Sequence, residues 1–384
     1  MLKVLSFLGL LTLTMAAYAQ PFCVDHGPYL QCPSIDGMTV YFTTSQPAFS
    51  YVEVRGGDCA TPRRYVPCEA GLYMAYNTRN VVPLTGLRPA TAYAYRIVSK
   101  PFKEFRPYHI VFGDSIVTPW ETFRTLDDKA TSLTLLVLND VHGDADRLRR
   151  LLDIFPLKGV DLVVYNGDMV NYHEQESAPY GCFLDVSTEV FARRLPFLYL
   201  RGNHETRGCL ARDYAHYVGT PSSRLYHAYY IGDCALVTFD TGEDKADSTA
   251  VYAGLCDFDG YREEQARWFA EEVMTDVRFQ QAKHKIVLMH IPPIITPNIP
   301  AGEEHGNALL HRLLVPLFNA AGVQYCIAAH AHRYGMYERG TQGCDFPVLV
   351  NDNHSALLVE ITPQGVATHI INDKGESLQQ RRDQ

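Results

Sequence analysis

The sequence lacks three features that would each indicate a different class of protein. After the first twenty residues it has no apolar run of the about 20 residues that a membrane-spanning helix needs, so no membrane span is predicted. Lys and Arg are not clustered and the formal net charge is −9, so no nucleic-acid surface is evident. No Cys-x-x-Cys pair is present, which disfavours a thiolate metal site. The mature chain is therefore expected to be soluble.

The first residues have the pattern of a secretory signal peptide. Lys3 precedes an apolar run from Val4 to Met15, and the small-residue site Ala17-Tyr18-Ala19 follows. A membrane anchor is the alternative, but the apolar run is too short for it. We expect residues 1–19 to be removed and the protein to be secreted or periplasmic.

Ten cysteines form an even set in a chain that carries this export signal. An oxidising compartment favours disulfides between neighbours in sequence, although spacing alone does not fix the connectivity. The predicted pairs are Cys23 with Cys32, Cys59 with Cys68, and Cys326 with Cys344.

Residues 20–126 consist of short alternating apolar segments separated by turn residues, without a helical pattern. This favours a small antiparallel β-sandwich. Its predicted strands are Met38–Thr44, Tyr51–Arg55, Ala92–Val98 and Glu121–Thr125. The run Leu84–Tyr95 resembles the turn and tyrosine strand of fibronectin type III modules, which precede the catalytic domain in purple acid phosphatases.

From residue 130 to 374, apolar strands alternate with amphipathic helices, which predicts an α/β domain with helices on both faces of its sheets. The predicted strands are Leu133–Leu138, Asp161–Tyr165, Phe197–Leu200, Ala235–Phe239, Lys285–Met289, Val323–Ala328, Ala356–Ile361 and Val366–Ile371. The predicted helices are Asp146–Ile154, Ser187–Arg194, Glu263–Met274 and Leu309–Ala320.

Five of these strands run directly into metal-binding residue types. Functional side chains collect beyond the carboxyl ends of strands in α/β sheets. A single Gly-Asp turn or strand-end His is weak evidence, but five such sites in one domain are not expected by chance. The segments are Asp140-Val-His142-Gly143, Gly167-Asp168, Gly202-Asn203-His204-Glu205, His290-Ile-Pro-Pro293 and His330-Ala-His332.

The residue types indicate which metals would bind. Imidazole and carboxylate suit Zn, Fe and Mn rather than Ca²⁺, which prefers an all-oxygen cage. Two ions about 3.5 to 4 Å apart need a carboxylate between them. Asp168 is the natural bridge.

In this order the five motifs resemble those of the calcineurin-like metallophosphoesterase superfamily, over Leu133–Asp352. The resemblance implies a four-layer α-β-β-α sandwich with two divalent or trivalent ions (Fe, Zn or Mn). By motif, the first ion would be held by Asp140, His142, Asp168 and His332. The second would be held by Asp168, Asn203, His290 and His330.

Two departures from related sequences matter. Ala329 replaces the usual Gly of the last motif. Purple acid phosphatases have a tyrosine ligand three residues after the bridging Asp and no His in the first motif, whereas this chain has Asn171 and His142 there. We therefore expect no purple-type iron site and no ligand role for the neighbouring Tyr172.

The resemblance implies hydrolysis of phosphate esters by attack of a metal-bridging hydroxide. His204 belongs to neither ligand set, and a histidine pKa of about 6.5 suits donation of a proton to the leaving group. Its alternative role is a hydrogen-bond donor that orients the site. Arg201, Arg207, Tyr172 and His305 lie near the motifs but receive no catalytic role.

The domain order favours a phosphomonoesterase with a small phosphate-ester substrate. A phosphodiesterase or nucleotide pyrophosphatase could use the same ligands. A metal-containing binding protein is the non-enzymatic alternative, but structural metal sites fill every coordination position with protein, whereas this set leaves room for water.

Overall fold

The computed structural model describes residues 21–57, 59–222, 224–297, 299–300 and 302–383. The predicted signal peptide, residues 1–19, lies outside them. Among the described residues, no helix is long and apolar enough to cross a membrane.

The N-terminal region is all-β and antiparallel. Its strands are β1 (Tyr29–Gln31), β2 (Gly37–Gly56), β3 (Cys59–Tyr65), β4 (Cys68–Glu69), β5 (Leu72–Tyr73), β6 (Asn77–Thr85), β7 (Ala92–Arg106), β8 (His109–Phe112), β9 (Ile116–Val117) and β10 (Glu121–Arg124). The first half of β2 pairs with β1 and β6, and its second half pairs with β3 and β7. Side chains of both halves, such as Val40 and Val52, meet in one buried core.

The second region contains two six-stranded sheets. Its strands are β11 (Leu133–Leu138), β12 (Leu162–Asn166), β13 (Phe197–Leu200), β14 (His227–Ile231), β15 (Cys234–Phe239), β16 (His284–Met289), β17 (Tyr325–Ala328), β18 (Gly335–Tyr337), β19 (Val348–Val350), β20 (Ser355–Thr362), β21 (Gly365–Asn372) and β22 (Ser377–Asp383). The strand orders are β13-β12-β11-β20-β21-β22 and β14-β15-β16-β17-β19-β18. Strands β11 to β13 are mutually parallel, as are β15, β16, β17 and β19.

Helices cover the outer faces of both sheets. The α-helices are α1 (Ala145–Leu152), α2 (Asp185–Ser187), α3 (Phe258–Trp268), α4 (Val277–Gln281) and α5 (His305–Ala321). Segments with π-helical bonding precede and follow α2 (Tyr180–Leu184, Thr188–Ala192) and extend α3 (Phe269–Val273). One apolar core lies between the sheets, and separate cores lie beneath the helices on each side. This is the predicted four-layer α-β-β-α arrangement.

The two regions share a core. Tyr29 and Tyr41 of the N-terminal region are buried with side chains of the first sheet, and the Tyr29 ring lies 6.0 Å from that of Phe197 in β13. The Tyr29 hydroxyl donates a hydrogen bond to the carbonyl of Tyr217 at 2.6 Å. His26 forms an ion pair with Asp185 in α2. The N-terminal region therefore packs against the second region through a shared core.

Among the described residues, the predicted disulfides Cys23–Cys32 and Cys326–Cys344 are not formed. Nine cysteines are free thiols: Cys23, Cys32, Cys68, Cys182, Cys209, Cys234, Cys256, Cys326 and Cys344. Cys23 is exposed, whereas Cys32 lies against Gly219. Cys326 and Cys344 are both buried in the core of the second sheet. The side chain of Cys59 lies outside the described residues.

Candidate dinuclear metal site

The five predicted motifs converge at one edge of the two sheets. Asp140, Asp168 and Asn203 follow β11, β12 and β13 of the first sheet. His290 and His330 follow β16 and β17 of the second sheet. Because each of these strands ends at the same side of its parallel group, their loops meet above the core between the sheets.

The first predicted ligand group is brought together by the fold. His332 Nε2 lies 3.1 Å from Asp140 Oδ1 and 3.0 Å from His142 Nε2. His142 Nε2 is also 4.0 Å from Asp168 Oδ2. One ligand atom from each of these four residues lies within 4.8 Å of the other three.

The second group gathers around Asp168 and Asn203. His290 Nε2 lies 3.3 Å from Asp168 Oδ2 and 3.1 Å from Asn203 Oδ1. His330 Nδ1 lies 3.0 Å from the same Asn203 oxygen. Asp168 stands in both groups, as a bridging carboxylate would.

These atoms fit a pair of metal ions better than a hydrogen-bonded cluster. Asp140 Oδ1 is buried without a well-oriented donor, although His332 Nε2 is close to it. Buried polar atoms are normally paired, so an unpaired carboxylate oxygen amid ligand atoms indicates a position suited to a cation. The mixture of imidazole nitrogens and carboxylate or amide oxygens suits Zn, Fe or Mn.

The backbone holds the ligands in an uncommon conformation. Five of the twelve non-glycine residues with positive φ in the described chain belong to the site: Asp140, His142, Asp168, His330 and His332. Such left-handed residues cost energy and persist where the surrounding structure enforces them. Ala329, which replaces the usual Gly, is not among them, and its N–H donates to the carbonyl of His290.

Two glycines of the motifs leave space for ligands. Gly167 has a φ of +89°, and a Cβ there would collide with the imidazole of His290. A Cβ on Gly202 would collide with the carboxylate of Asp168 and approach its backbone nitrogen to 2.6 Å. Glycine at these positions therefore has a steric cause.

Glu205 is a supporting residue to which the sequence analysis assigned no role. Its buried carboxylate accepts hydrogen bonds from the N–H groups of Asp168 (2.9 Å), Met169 (2.7 Å), Val170 (3.2 Å) and Gly202 (2.8 Å). It also accepts from the Tyr199 hydroxyl. Glu205 thus joins the loop of Asp168 to the loop of Asn203. The available signal was a carboxylate in the same motif as two predicted site residues, directly after a buried strand.

Further hydrogen bonds orient individual ligands. His290 Nδ1 donates to the carbonyl of Asn166 at 2.7 Å, so Nε2 is the ring nitrogen that faces the metal position. Asn139 Nδ2 donates to Asp140 Oδ2 at 2.7 Å. The N–H of His204 donates to Asp168 Oδ1 at 2.9 Å.

Burial and charge set the protonation of the imidazoles. Burial lowers the pKa of His142 to about 4, and burial together with the charge of His290 lowers the pKa of His330 to about 4. Both rings are therefore neutral near pH 7, the form that binds metal. Burial opposes protonation of His290, but the carboxylates of Asp168 and Asp140 outweigh it and raise its pKa to about 10. Its extra proton occupies the position that a metal ion would take.

His204 has two partners that fix its tautomer. Its Nδ1 lies 3.1 Å from the carbonyl oxygen of Asn171, which only accepts, so Nδ1 carries the hydrogen. Its Nε2 lies 3.0 Å from Nη1 of Arg207, which only donates. Nε2 therefore accepts, and the ring is neutral in this arrangement.

Arg207 is fixed by a buried carboxylate. Its Nε and Nη2 donate to the two carboxylate oxygens of Glu243, both at 2.9 Å. Arg201 instead pairs with Asp240 at 2.9 Å.

Two other residues considered in the sequence lie apart from the ligands. Tyr172 is exposed, with its ring 6.1 Å from that of His204. His305 pairs with Asp259 at 2.9 Å. Asn171, at the position of the purple-type tyrosine ligand, donates to the carbonyl of His142.

Comparison with known proteins agrees with this geometry. The family model for calcineurin-like phosphoesterases matches residues 133–334, more than half of the chain. No curated protein matched the sequence. A purple acid phosphatase from yellow lupin (Lupinus luteus) seeds has a similar structure, with 13% identity and a TM-score of 0.69 over 92% of this chain and 73% of that one. PhoD has 10% identity and a TM-score of 0.58 over 93% and 92%. The chain belongs to the calcineurin-like phosphoesterase family and is a metal-dependent phosphoester hydrolase.

Proposed function

We propose that the protein is a secreted or periplasmic phosphomonoesterase with two metal ions, each Fe, Zn or Mn. The observation that carries the proposal is the carboxylate of Asp168, which belongs to two ligand groups at once. The first ion would be held by Asp140, His142, Asp168 and His332, and the second by Asp168, Asn203, His290 and His330. We also infer a removable signal peptide at 1–19, a fibronectin type III-like domain at 20–126 and a catalytic domain at 130–374.

The residues around the ions have separable roles. Two bound ions would supply an activated water and neutralise the phosphoryl oxygens. His204 donates a proton from Nε2 to the leaving oxygen, while Asn171 holds the opposite ring nitrogen. Because Nε2 carries no hydrogen while it accepts from Arg207, donation requires that Nη1 of Arg207 leave Nε2 and that Nε2 first take up a proton from solvent. Because Glu243 holds the other two donor nitrogens of Arg207, Nη1 is the group that turns to a phosphoryl oxygen.

Charge near the ligands supports a monoester substrate. Arg207 and Lys245 line a cavity of about 330 Å³ together with Asp168, Asn203 and His330. Arg207 is paired with Glu243, and Lys245 with Asp244 and Glu303, so two bound metal ions would supply most of the positive charge that complements the up to two negative charges of a phosphomonoester. The small volume also favours a compact phosphate group at the ions.

The test uses protein stripped with chelator and then supplied with Mn, Zn or Fe. Hydrolysis of p-nitrophenyl phosphate and of bis-p-nitrophenyl phosphate is measured side by side. We expect metal-restored turnover with preference for the monoester. His290→Ala should abolish it, whereas His305→Ala, whose imidazole pairs with Asp259, should not. N-terminal sequencing of the exported protein should begin at Gln20.

Preference for the diester would replace the monoesterase assignment with a phosphodiesterase. No turnover with any metal by the folded protein would contradict the catalytic proposal altogether. Retained turnover in His290→Ala would contradict the assignment of the second ion.

A further inference from the structure

A second, larger cavity lies beside the metal site. Its volume is about 690 Å³, within the range of small-molecule sites. Aromatic and aliphatic side chains form much of its wall: Phe258, Tyr261, Tyr252, Leu225, Val251 and Leu255. None of these residues belongs to the proposed ligand sets or contacts His204 through a hydrogen bond.

The two cavities adjoin at Arg207, which lines both. On one side its Nη1 contacts Nε2 of His204, and on the other its partner Glu243 lines the larger cavity. His204 is the residue proposed to protonate the leaving group. The larger cavity therefore begins on the side of the metal site from which the leaving group departs.

Hydrogen bonds fix the loop that walls the larger cavity. Asp247 accepts from the N–H of Asp259 at 2.9 Å and lies 3.4 Å from the thiol of Cys256. The Tyr252 hydroxyl lies 3.4 Å from Asp244. A cavity with walls held before binding loses little entropy when a ligand enters.

Charged side chains also line the cavity, and each has a partner: Arg212 donates to the carbonyl of Leu255, and Asp257 accepts from the N–H of Gly260. The guanidinium of Arg201 lies 5.9 Å from the ring centres of both Phe258 and Tyr261, but Asp240 neutralises its charge. Glu243 likewise neutralises Arg207. Because carboxylates neutralise the two arginines nearest the aromatic faces, these faces suit a flat apolar ring.

At the mouth of the cavity, two aliphatic side chains face water. Val251 is 74% exposed and Leu255 is 71% exposed. The backbone carbonyl of Leu255 accepts a hydrogen bond from Arg212. Exposed apolar side chains at the rim of an apolar cavity gain free energy when a ligand covers them. They also lie outside every core, so their replacement leaves the fold intact.

We propose that this cavity binds the leaving group, and that the preferred substrates are phosphate esters of aromatic alcohols. The inference rests on the proposed function, because it requires hydrolysis at the adjoining metal site. It adds a substrate class that the metal ligands themselves do not specify.

The experiment compares kcat/KM for 2-naphthyl phosphate with that for glycerol phosphate. It uses wild-type protein, Leu255→Ser and the double variant Val251→Ser/Leu255→Ser. The kcat/KM of each variant is divided by the kcat/KM of wild type for the same ester, so that the intrinsic reactivity of the leaving group cancels. Val277→Ser is the matched control, since Val277 is 58% exposed at the start of α4.

We expect the double variant to lose about tenfold in kcat/KM for the naphthyl ester, the size of effect that apolar pocket contacts produce. The loss should appear mainly in KM, and the value for glycerol phosphate should stay at the wild-type level. Leu255→Ser alone should show a smaller loss in the same direction. Val277→Ser should change neither ester.

Equal losses for both esters, or no loss for either, would overturn the cavity assignment while leaving the phosphoesterase function standing. Wild-type protein that hydrolyses neither ester would overturn the proposed function and this inference with it. Thermal unfolding of each variant shows whether it is folded. If the double variant does not fold, the kcat/KM values of Leu255→Ser decide the test.

Discussion

Gly202→Ala tests whether the space left by this glycine is needed to hold the carboxylate of Asp168 between the two ligand groups. A methyl group at this position would overlap Asp168 Oδ1 and lie 2.6 Å from the Asp168 backbone nitrogen, a contact that no side-chain rotation relieves. Either the loop after β13 or the loop after β12 must move. Overpacking of this kind costs about 1–3 kcal/mol of unfolding free energy. The shift also separates Asp168 from one of its two ligand groups.

Gly181→Ala is the matched control. A Cβ there meets nothing within 4 Å, in a helical segment where alanine is favoured over glycine. We expect it to leave unfolding free energy unchanged or to raise it by about 0.4–1 kcal/mol.

Urea unfolding, metal content by elemental analysis and turnover of p-nitrophenyl phosphate are measured for both variants. Gly202→Ala should lose stability, bound metal and turnover together. Wild-type metal content and turnover in Gly202→Ala would refute the steric argument.

Three further predictions concern residues around the site and between the two regions. Glu205→Gln places an N–H against backbone donors and should lower metal affinity about 10–100-fold in a titration with Zn²⁺. Arg207→Lys loses the two-point contact with Glu243 and should lower kcat/KM for p-nitrophenyl phosphate without lowering metal content. His26→Gln should lower unfolding free energy by about 0.2–1 kcal/mol at pH 5.5 and by less at pH 8.5, in urea titrations. The reason is that the hydrogen bond with Asp185 raises the pKa of His26, so its stabilisation is complete below the unfolded pKa and is lost as pH rises through the folded pKa.

Each of these predictions has a contrary outcome. Unchanged metal affinity in Glu205→Gln would mean that the two loops hold together without the carboxylate. Full activity in Arg207→Lys would mean that a point charge suffices. An equal loss at both pH values for His26→Gln would assign its effect to stacking on Tyr180 rather than to the ion pair.

The seven proposed ligands could be predicted because residue type and strand position together specify them. Parallel strands bring their carboxyl ends to one edge, so Asp168 and His290 meet although 122 positions separate them in the sequence. The inter-sheet core was equally predictable from apolar strands such as Leu133–Leu138, which the structure reproduces with the same bounds.

Other features depend on contacts that no local pattern contains. The contact of Arg207 with His204 requires the loop after β13 to turn back on itself in a 3₁₀ turn, His204–Thr206. The single strand β2 covers two predicted strands, Met38–Thr44 and Tyr51–Arg55. The backbone stays extended through Gln46 and Pro47, which lie between them. The polar segment Ser377–Asp383 forms β22 because pairing with β21 satisfies its backbone, not because its side chains are apolar.

The burial of Tyr29 and Tyr41 against the first sheet has a consequence for how the molecule evolves and unfolds. These tyrosines belong to the N-terminal region by sequence, yet they close the core beneath β13, the strand that leads to Asn203. Removing that region would take away Tyr29, one of the aromatic neighbours of Phe197, and expose apolar surface. The two regions should therefore open as one cooperative unit. Exchange of either region between homologues would therefore need a compensating change in the other.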